Sequence, residues 1–358
     1  QKQLVDFSDP NLLLLADKLR HSDSRQLHFV QLGDSHTAAD FFTGRLRILF
    51  QQRYGDAGPG FISPMTIPGQ RSASVRFSGD KTGWWLSSSR KEDRADFPLG
   101  GFIATPEHIG STITMNLSSP DNGSFLMSTL YQSHDETYLK PQSSPLWQLP
   151  ATQSEWRFSQ EHPVSFPLKL SAQDTQLKMG GWLIKRQNSG VILSALGING
   201  ATINMPNKWQ PEWMNTLAQM KPDLVILAYG TNEAFNDSLD LDAYRQDLTT
   251  KIQKIRSGIP EAVILLIGPN DSLKNKNAAG CEEQQPALLK EVIRIQQEVA
   301  RKQHTLFWNW QEFMGGTCSI RSWELQGLAR SDYIHLSAAG YERSAEGFYE
   351  QFIDLIEK

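Results

Sequence analysis

Short, predominantly apolar runs of strand length alternate with segments of helical period through the last half of the chain, and few folds accommodate that alternation. Residues 191–196 (VILSAL), 224–228 (LVILA), 263–267 (VILLI) and 305–308 (TLFW) have the pattern of strands buried on both faces. Between them Tyr244, Leu248, Ile252 and Ile255 recur at helical spacing, then Leu288, Val292, Ile295 and Val299. A final segment sets Tyr341, Ala345, Phe348, Phe352 and Ile356 on one face. Such an order implies a parallel sheet with helices on both sides. Near the N-terminus, residues 27–32 (LHFVQL) followed by Phe42, Leu46, Leu49 and Phe50 repeat the unit. In sheets of this kind ligands bind beyond the carboxyl ends of the strands.

Residues 66–188 interrupt the pattern. They are rich in Ser, Thr, Gly, Pro and Trp, with short alternating runs such as 112–117 (TITMNL) and 167–170 (PLKL) and no long helical period. This stretch reads as an all-β insertion, a sandwich or jelly roll, between two parts of an α/β domain at 1–65 and 189–358. Its tryptophans and strand alternation argue against a disordered loop. The 358 residues suffice for two domains. A net charge of -4, with Lys and Arg scattered, argues against nucleic acid as a partner. No stretch approaches the roughly 20 apolar residues that span a bilayer. The 12–15 run (LLLL) after Asp9-Pro10 reads as a helix start, with Asp9 as N-cap and Pro10 as first helical residue, and not as a signal peptide. Any secretion signal is expected to lie outside this numbering.

Four short features fall at strand ends: Gly33-Asp34-Ser35, Gly200 within 197–202 (GINGAT), Asn232 within 230–233 (GTNE), and 332–335 (DYIH). Each suits a step of acyl transfer. A serine hydroxyl becomes a nucleophile when a base takes its proton. His335 can be that base, because imidazole titrates near neutrality. Asp332, three residues earlier, can hold the second ring nitrogen and fix the tautomer. The N–H of Ser35, the N–H of Gly200 and the side-chain amide of Asn232 can bind the oxyanion; a glycine at 200 lets backbone approach closely. Singly these signals are weak, but their order and placement agree. The chemistry calls for no cofactor and no metal.

Other readings fare worse. An α/β-hydrolase needs G-x-S-x-G, yet the second residue after Ser35 is Thr37. A dinuclear metallophosphoesterase would use the D-x-H of Asp34 and His36, but the chain has no G-H-x-H. A non-catalytic glycan-binding protein would not need an intact triad. Asp34 and His36, beside the nucleophile, are candidate substrate contacts, although a histidine there also suits a solvent-facing turn. Trp84, Trp85 and Trp182 could offer flat faces to sugar rings or pack the insertion. Lys185 and Arg186 suit substrate carboxylates or a solvated face. Cys281 and Cys318 have no neighbouring Cys or His, as a zinc site would need. Two unrelated thiols and a disulfide worth roughly 3–4 kcal/mol both remain open.

The four features together resemble the blocks of the GDSL/SGNH hydrolases, over residues 26–65 and 189–358. Residues 32–36 (LGDSH) match the first block, 197–202 the second, 230–232 the third and 332–335 the last. The resemblance implies a flavodoxin-like three-layer α/β/α sandwich with about five parallel strands. It also implies Ser35, Asp332 and His335 as the triad, with Ser35, Gly200 and Asn232 around the oxyanion. The run 54–61 (YGDAGPGF), the segment 189–202 (SGVILSALGINGAT) and the large β insertion are similar to the peptidoglycan O-acetylesterases of Gram-negative bacteria. In those enzymes the insertion is carbohydrate-binding-module-like, and the substrate is the 6-O-acetyl group of N-acetylmuramic acid. The implied partner is therefore an O-acetylated glycan, and the implied compartment the periplasm, which favours a Cys281–Cys318 disulfide. Transfer of the acetyl group to another sugar hydroxyl is the related alternative.

Overall fold

A computed structural model describes residues 3–358. Its centre is a six-stranded sheet in the order Leu4–Asp6, Leu306–Trp308, Val263–Ile267, Leu224–Ala228, Gln26–Gly33, Gly190–Gly197. The last five strands run parallel, and Leu4–Asp6 joins the edge antiparallel. The fold is thus an α/β sandwich, as the resemblance implies, with a mixed sheet. Continuous apolar strands are explained by the two cores they feed: Val225 and Leu227 face one, and Leu224, Ile226 and Ala228 face the other. Helices Trp213–Gln219, Leu241–Gly258 and Leu289–Gln303 cover the first face. Helices Leu12–Arg20, Phe42–Tyr54 and Ala338–Ile356 cover the second. Periodic residues such as Tyr244, Leu248, Ile252 and Ile255 are buried as their spacing implies.

The helix after Asp9-Pro10 begins later than expected. Its N-cap is Asn11, because Asp9 is turned inward: its carboxylate accepts the N–H of Asn11 and Ile264 and pairs with Arg256 at 2.9 Å. The region between the halves is all β and forms two facing antiparallel sheets. One runs Trp147–Leu149, Thr137–Pro141, Leu168–Ala172, Thr112–Leu117, Val75–Ser78; the other centres on Phe125–Gln132, Lys178–Arg186 and Phe102–Pro106. Ile113, Met115 and Leu170 from one sheet meet Met127, Met179 and Ile184 from the other in a common core. The strand Gly60–Ile62 pairs with Lys178–Arg186, so this architecture begins before residue 66. The insert is not loosely tethered. Phe61, Phe97, Leu99, Phe102 and Leu183 share one buried cluster with Val225 and Ile252 of the α/β layers.

Cys281 and Cys318 form a disulfide. It joins the helix Cys281–Gln284 to the N-cap of Ser319–Leu325. Among the described residues no helix is long and apolar enough to cross a membrane.

One buried group ties the fold to pH. His28 lies on Gln26–Gly33, with Nδ1 3.0 Å from the carbonyl of Met220 and Nε2 2.6 Å from Ser194 Oγ. Burial pushes its pKa down to about 4, with the Met220 carbonyl opposing and the charge of Lys185 adding. A histidine neutral when folded but titrating near 6.5 when unfolded supplies stability above pH 6.5. That stability is lost as pH falls toward 4, at about 1.4 kcal/mol per unit. From pH 7 to pH 5, urea unfolding should show the stability advantage of wild type over His28→Gln shrinking by about 2 kcal/mol. An advantage that stays constant with pH would contradict a neutral buried His28.

Candidate active site

The nucleophile candidate sits where strand turns to helix. Gln26–Gly33 ends, Asp34 caps, and Ser35 opens the four-residue helix Ser35–Ala38. Gly33 and Gly197 stand opposite each other in the sheet, and the helix seats directly on both. A Cβ on Gly33 would lie 2.1 Å from Thr37 Oγ1, and one on Gly197 2.2 Å from the Ala38 nitrogen. As first helical residue, Ser35 has an N–H without an acceptor inside its helix.

Three side chains line up in series. Ser35 Oγ is 2.9 Å from His335 Nε2, and His335 Nδ1 is 2.7 Å from Asp332 Oδ2. The D-x-x-H spacing has a local reason. Asp332 Oδ1 accepts the N–H groups of Ile334 and His335 (2.9 and 3.0 Å), so one carboxylate folds the loop and aims the ring. The loop is held by Asn270, whose side chain donates to the Ile334 carbonyl at 2.9 Å. Partial burial pushes the Asp332 carboxyl up. Hydrogen bonds from the His335 ring and the two N–H groups outweigh this, and the carboxyl is held well below the usual range. Asp332 is therefore ionised at any pH where the protein works.

The other expected residues divide. Asn232, on the short helix Thr231–Ala234, donates one Nδ2 hydrogen to the Ala201 carbonyl at 2.9 Å, and its second amide hydrogen is free for another acceptor. The N–H of Gly200 has no acceptor among the described residues. Conformation, more than space, demands glycine there: φ is +80°, and a Cβ would meet nothing nearer than Arg90 Nε at 3.6 Å. That contact puts a guanidinium of the β insert at the Gly200 loop, which the sequence did not disclose.

The side chains of Asp34, His36 and Trp182 are buried in the fold. Asp34 is buried and accepts the N–H of His36 at 3.0 Å; it serves as helix cap. Burial raises its pKa to about 8, against the His36 N–H and aided by the charge of Glu233. His36 is buried with Nδ1 2.7 Å from the Tyr341 hydroxyl and Nε2 3.3 Å from Thr231 Oγ1. Burial, and then the charge of His335, hold its pKa down at about 3, with Asp332 opposing. A neutral His36, its ring 5.2 Å from that of His335, packs beneath the site without repelling an imidazolium. The side chains of Asp34 and His36, spaced like a metal motif, are thus both spent inside the fold. Trp182 is fully buried, its Nε1 donating to the Pro64 carbonyl at 3.0 Å, within the core of the insert. A strand buried on both faces leaves it no route to a sugar. Trp84 is buried too, and Trp85 is 62% exposed. Lys185 pairs with Glu161 at 3.2 Å, and Arg186 pairs with Asp56 at 3.3 Å and with Asp121.

Both parts of the chain match known families. A family model described as the N-terminal part of peptidoglycan O-acetylesterases matches residues 57–169. A model of the GDSL-like lipase/acylhydrolase family matches residues 171–343. A solved structure of a peptidoglycan O-acetylesterase in action is 36% identical, covers 99% of each chain and superposes with a TM-score of 0.91. An acetyl xylan esterase is 17% identical over 45% of this chain and 79% of its own, with a TM-score of 0.35. A family two carbohydrate esterase from Cellvibrio japonicus is 10% identical over 79% and 98%, with a TM-score of 0.34. These two superpose too loosely to bear on the argument. No curated protein matches the chain.

Proposed function

Because the chain belongs to the peptidoglycan O-acetylesterase family, we propose that it removes the 6-O-acetyl group from N-acetylmuramic acid in peptidoglycan, with Ser35 as nucleophile. It is a carboxylic ester hydrolase. The observation that carries the assignment of roles is the unbroken series from Ser35 Oγ through the His335 ring to Asp332, with links of 2.9 and 2.7 Å.

His335 Nε2 takes the Ser35 proton as Oγ attacks the acetyl carbonyl. Asp332 accepts from Nδ1–H throughout, so the free lone pair stays on Nε2 and the imidazolium is stabilised once formed. The carbonyl oxygen gains a full charge, and the N–H groups of Ser35 and Gly200 and the Asn232 amide are the donors that hold it. The tetrahedral intermediate collapses, the carbon–oxygen bond to the sugar breaks, and the imidazolium protonates the leaving alkoxide. Water then repeats the sequence on the acetyl-serine: His335 takes its proton, hydroxide adds to the carbonyl, and acetate leaves as Ser35 Oγ recovers a proton.

Peptidoglycan lies outside the cytoplasmic membrane, so the enzyme acts there. The Cys281–Cys318 bridge suits an oxidising compartment, and we place the protein in the periplasm. The test compares acetate release from O-acetylated peptidoglycan, acetylated xylan and 4-nitrophenyl acetate. Peptidoglycan should be the better glycan by at least about tenfold in kcat/KM, a difference of about 1.4 kcal/mol in transition-state binding. Equal or faster turnover of xylan would overturn the substrate assignment, while hydrolysis of the aryl acetate would still support the esterase chemistry.

A further inference from the structure

The N–H of Gly200 belongs to the middle peptide of a four-residue turn. Ala201 N–H closes the turn on the Ile198 carbonyl at 3.1 Å, and φ of +80° at Gly200, its third residue, is the mark of a type II turn. Type I and type II turns differ by a half-rotation of that middle peptide. Glycine accepts either sign of φ, so residue 200 does not itself choose between them. A rotated peptide would carry the Gly200 N–H to the opposite side of the turn, away from any oxyanion it now serves. Whichever way that peptide points, the turn as a whole must also be held in place against Ser35, and the surroundings do that.

Three elements grip this turn. The catalytic strand holds it through the Ile198 N–H, which donates to the Gly33 carbonyl at 3.0 Å. Asn232 holds the other end through the Ala201 carbonyl. The third grip comes from the β insert. Gln70 Oε1 accepts the Asn199 N–H and Gln70 Nε2 donates to the Gly197 carbonyl, both at 3.1 Å; the Asn199 side chain donates to the Gly69 carbonyl at 2.9 Å. Since Gln70 uses its oxygen and its nitrogen on opposite partners, its amide has one satisfying orientation. Its own backbone is anchored as well. Gln70 N–H donates to the Ile67 carbonyl, and the next residue, Arg71, donates N–H to the Ala38 carbonyl at the end of the nucleophile's helix, both at 3.1 Å. Ile67, Ile198 and Ala201 are buried in one cluster.

We propose that Gln70 is a positioning residue for the hydrolase: it holds the 198–201 turn in place beside the nucleophile's helix, so that the Gly200 N–H stays within reach of the oxyanion, and the β insert thereby completes the catalytic site. The inference rests on the esterase reading and adds to it. A hydrogen-bond donor of an oxyanion hole typically carries 10²–10³ in kcat, and loosening one without deleting it should forfeit part of that. The full chain carrying Gln70→Met, which removes both hydrogen bonds at similar length, should show kcat about tenfold lower on both 4-nitrophenyl acetate and O-acetylated peptidoglycan. KM should stay within about twofold for each, because an oxyanion donor acts on the transition state and not on the ground-state ester, and the thermal midpoint should stay within a few degrees. Gln70→Asn, too short to span both partners, should behave alike and decides the matter if the Met variant is unstable. A KM increase confined to the glycan would make Gln70 a substrate contact and overturn the proposal. So would kcat within about twofold of wild type on both esters. Wild type hydrolysing neither ester would remove the esterase reading, and this inference with it.

Discussion

Ser35→Ala should lower kcat by about 10⁴-fold or more on every acetyl ester, with KM little changed. The hydroxyl has no substitute: Oγ is the atom bonded to His335 Nε2, and the neighbouring hydroxyl of Thr37 is buried and accepts from Gln31. Removing it leaves the oxyanion donors and the binding surface, whose residual contribution over water is about 10³–10⁴. The variant should fold normally, since alanine suits the opening of a helix and the lost hydrogen bond is partly exposed. Initial rates of acetate release would check this. Turnover near that of wild type would end the proposed role of Ser35.

Asp332→Asn should cost about 10³–10⁴-fold in kcat, although it changes one atom. The reason lies in what the two carboxylate oxygens do. Oδ1 accepts two backbone N–H groups, and Oδ2 accepts the His335 ring. An asparagine must keep its oxygen toward the two N–H donors, so its NH₂ turns to the ring. It then donates to Nδ1, which forces the proton onto Nε2, the nitrogen that should receive the Ser35 proton. The ring is left in place with the wrong tautomer. Steady-state kinetics on 4-nitrophenyl acetate would measure the loss, and retention of more than about a tenth of wild-type kcat would refute the tautomer argument. Wild-type and variant should have similar thermal midpoints, because the loop hydrogen bonds to residue 332 persist.

What the chain declares openly is whatever depends on local pattern. The strands at 224–228 and 263–267 were legible to the residue because a strand covered on both sides must be apolar throughout. The helix faces through Tyr244 and Tyr341 were legible from spacing. Ser35, Asp332 and His335 meet because one sits at a strand end and the other two share a turn, both local facts. The edge strand Leu4–Asp6 was not visible, since three residues hold no period. The inward turn of Asp34 and His36 could not be read either: a side chain's direction at a strand–helix corner depends on what packs beneath it, here Tyr341 and Thr231. The place of Trp182 stayed open for a related reason, because an aromatic on a strand looks alike whether it faces water or a second sheet. Gln70 and Arg90 carry no motif, and they reach the Gly200 loop through tertiary packing between segments remote in sequence.

The central sheet joins Gln26–Gly33 to Gly190–Gly197, with Gln26 facing Gly190, so two adjacent strands are separated by the whole insert. Bringing them together across a disordered stretch of roughly 160 residues would cost about 4–5 kcal/mol in chain entropy. The insert removes most of that cost once folded, because its first strand, Gly60–Ile62, lies against its last, Lys178–Arg186, with Ile62 opposite Trp182. The chain thus leaves the insert beside where it entered. A β sandwich that folds early would therefore ease assembly of the α/β layers, and a lesion confined to the sandwich should slow the folding of the sheet beside it.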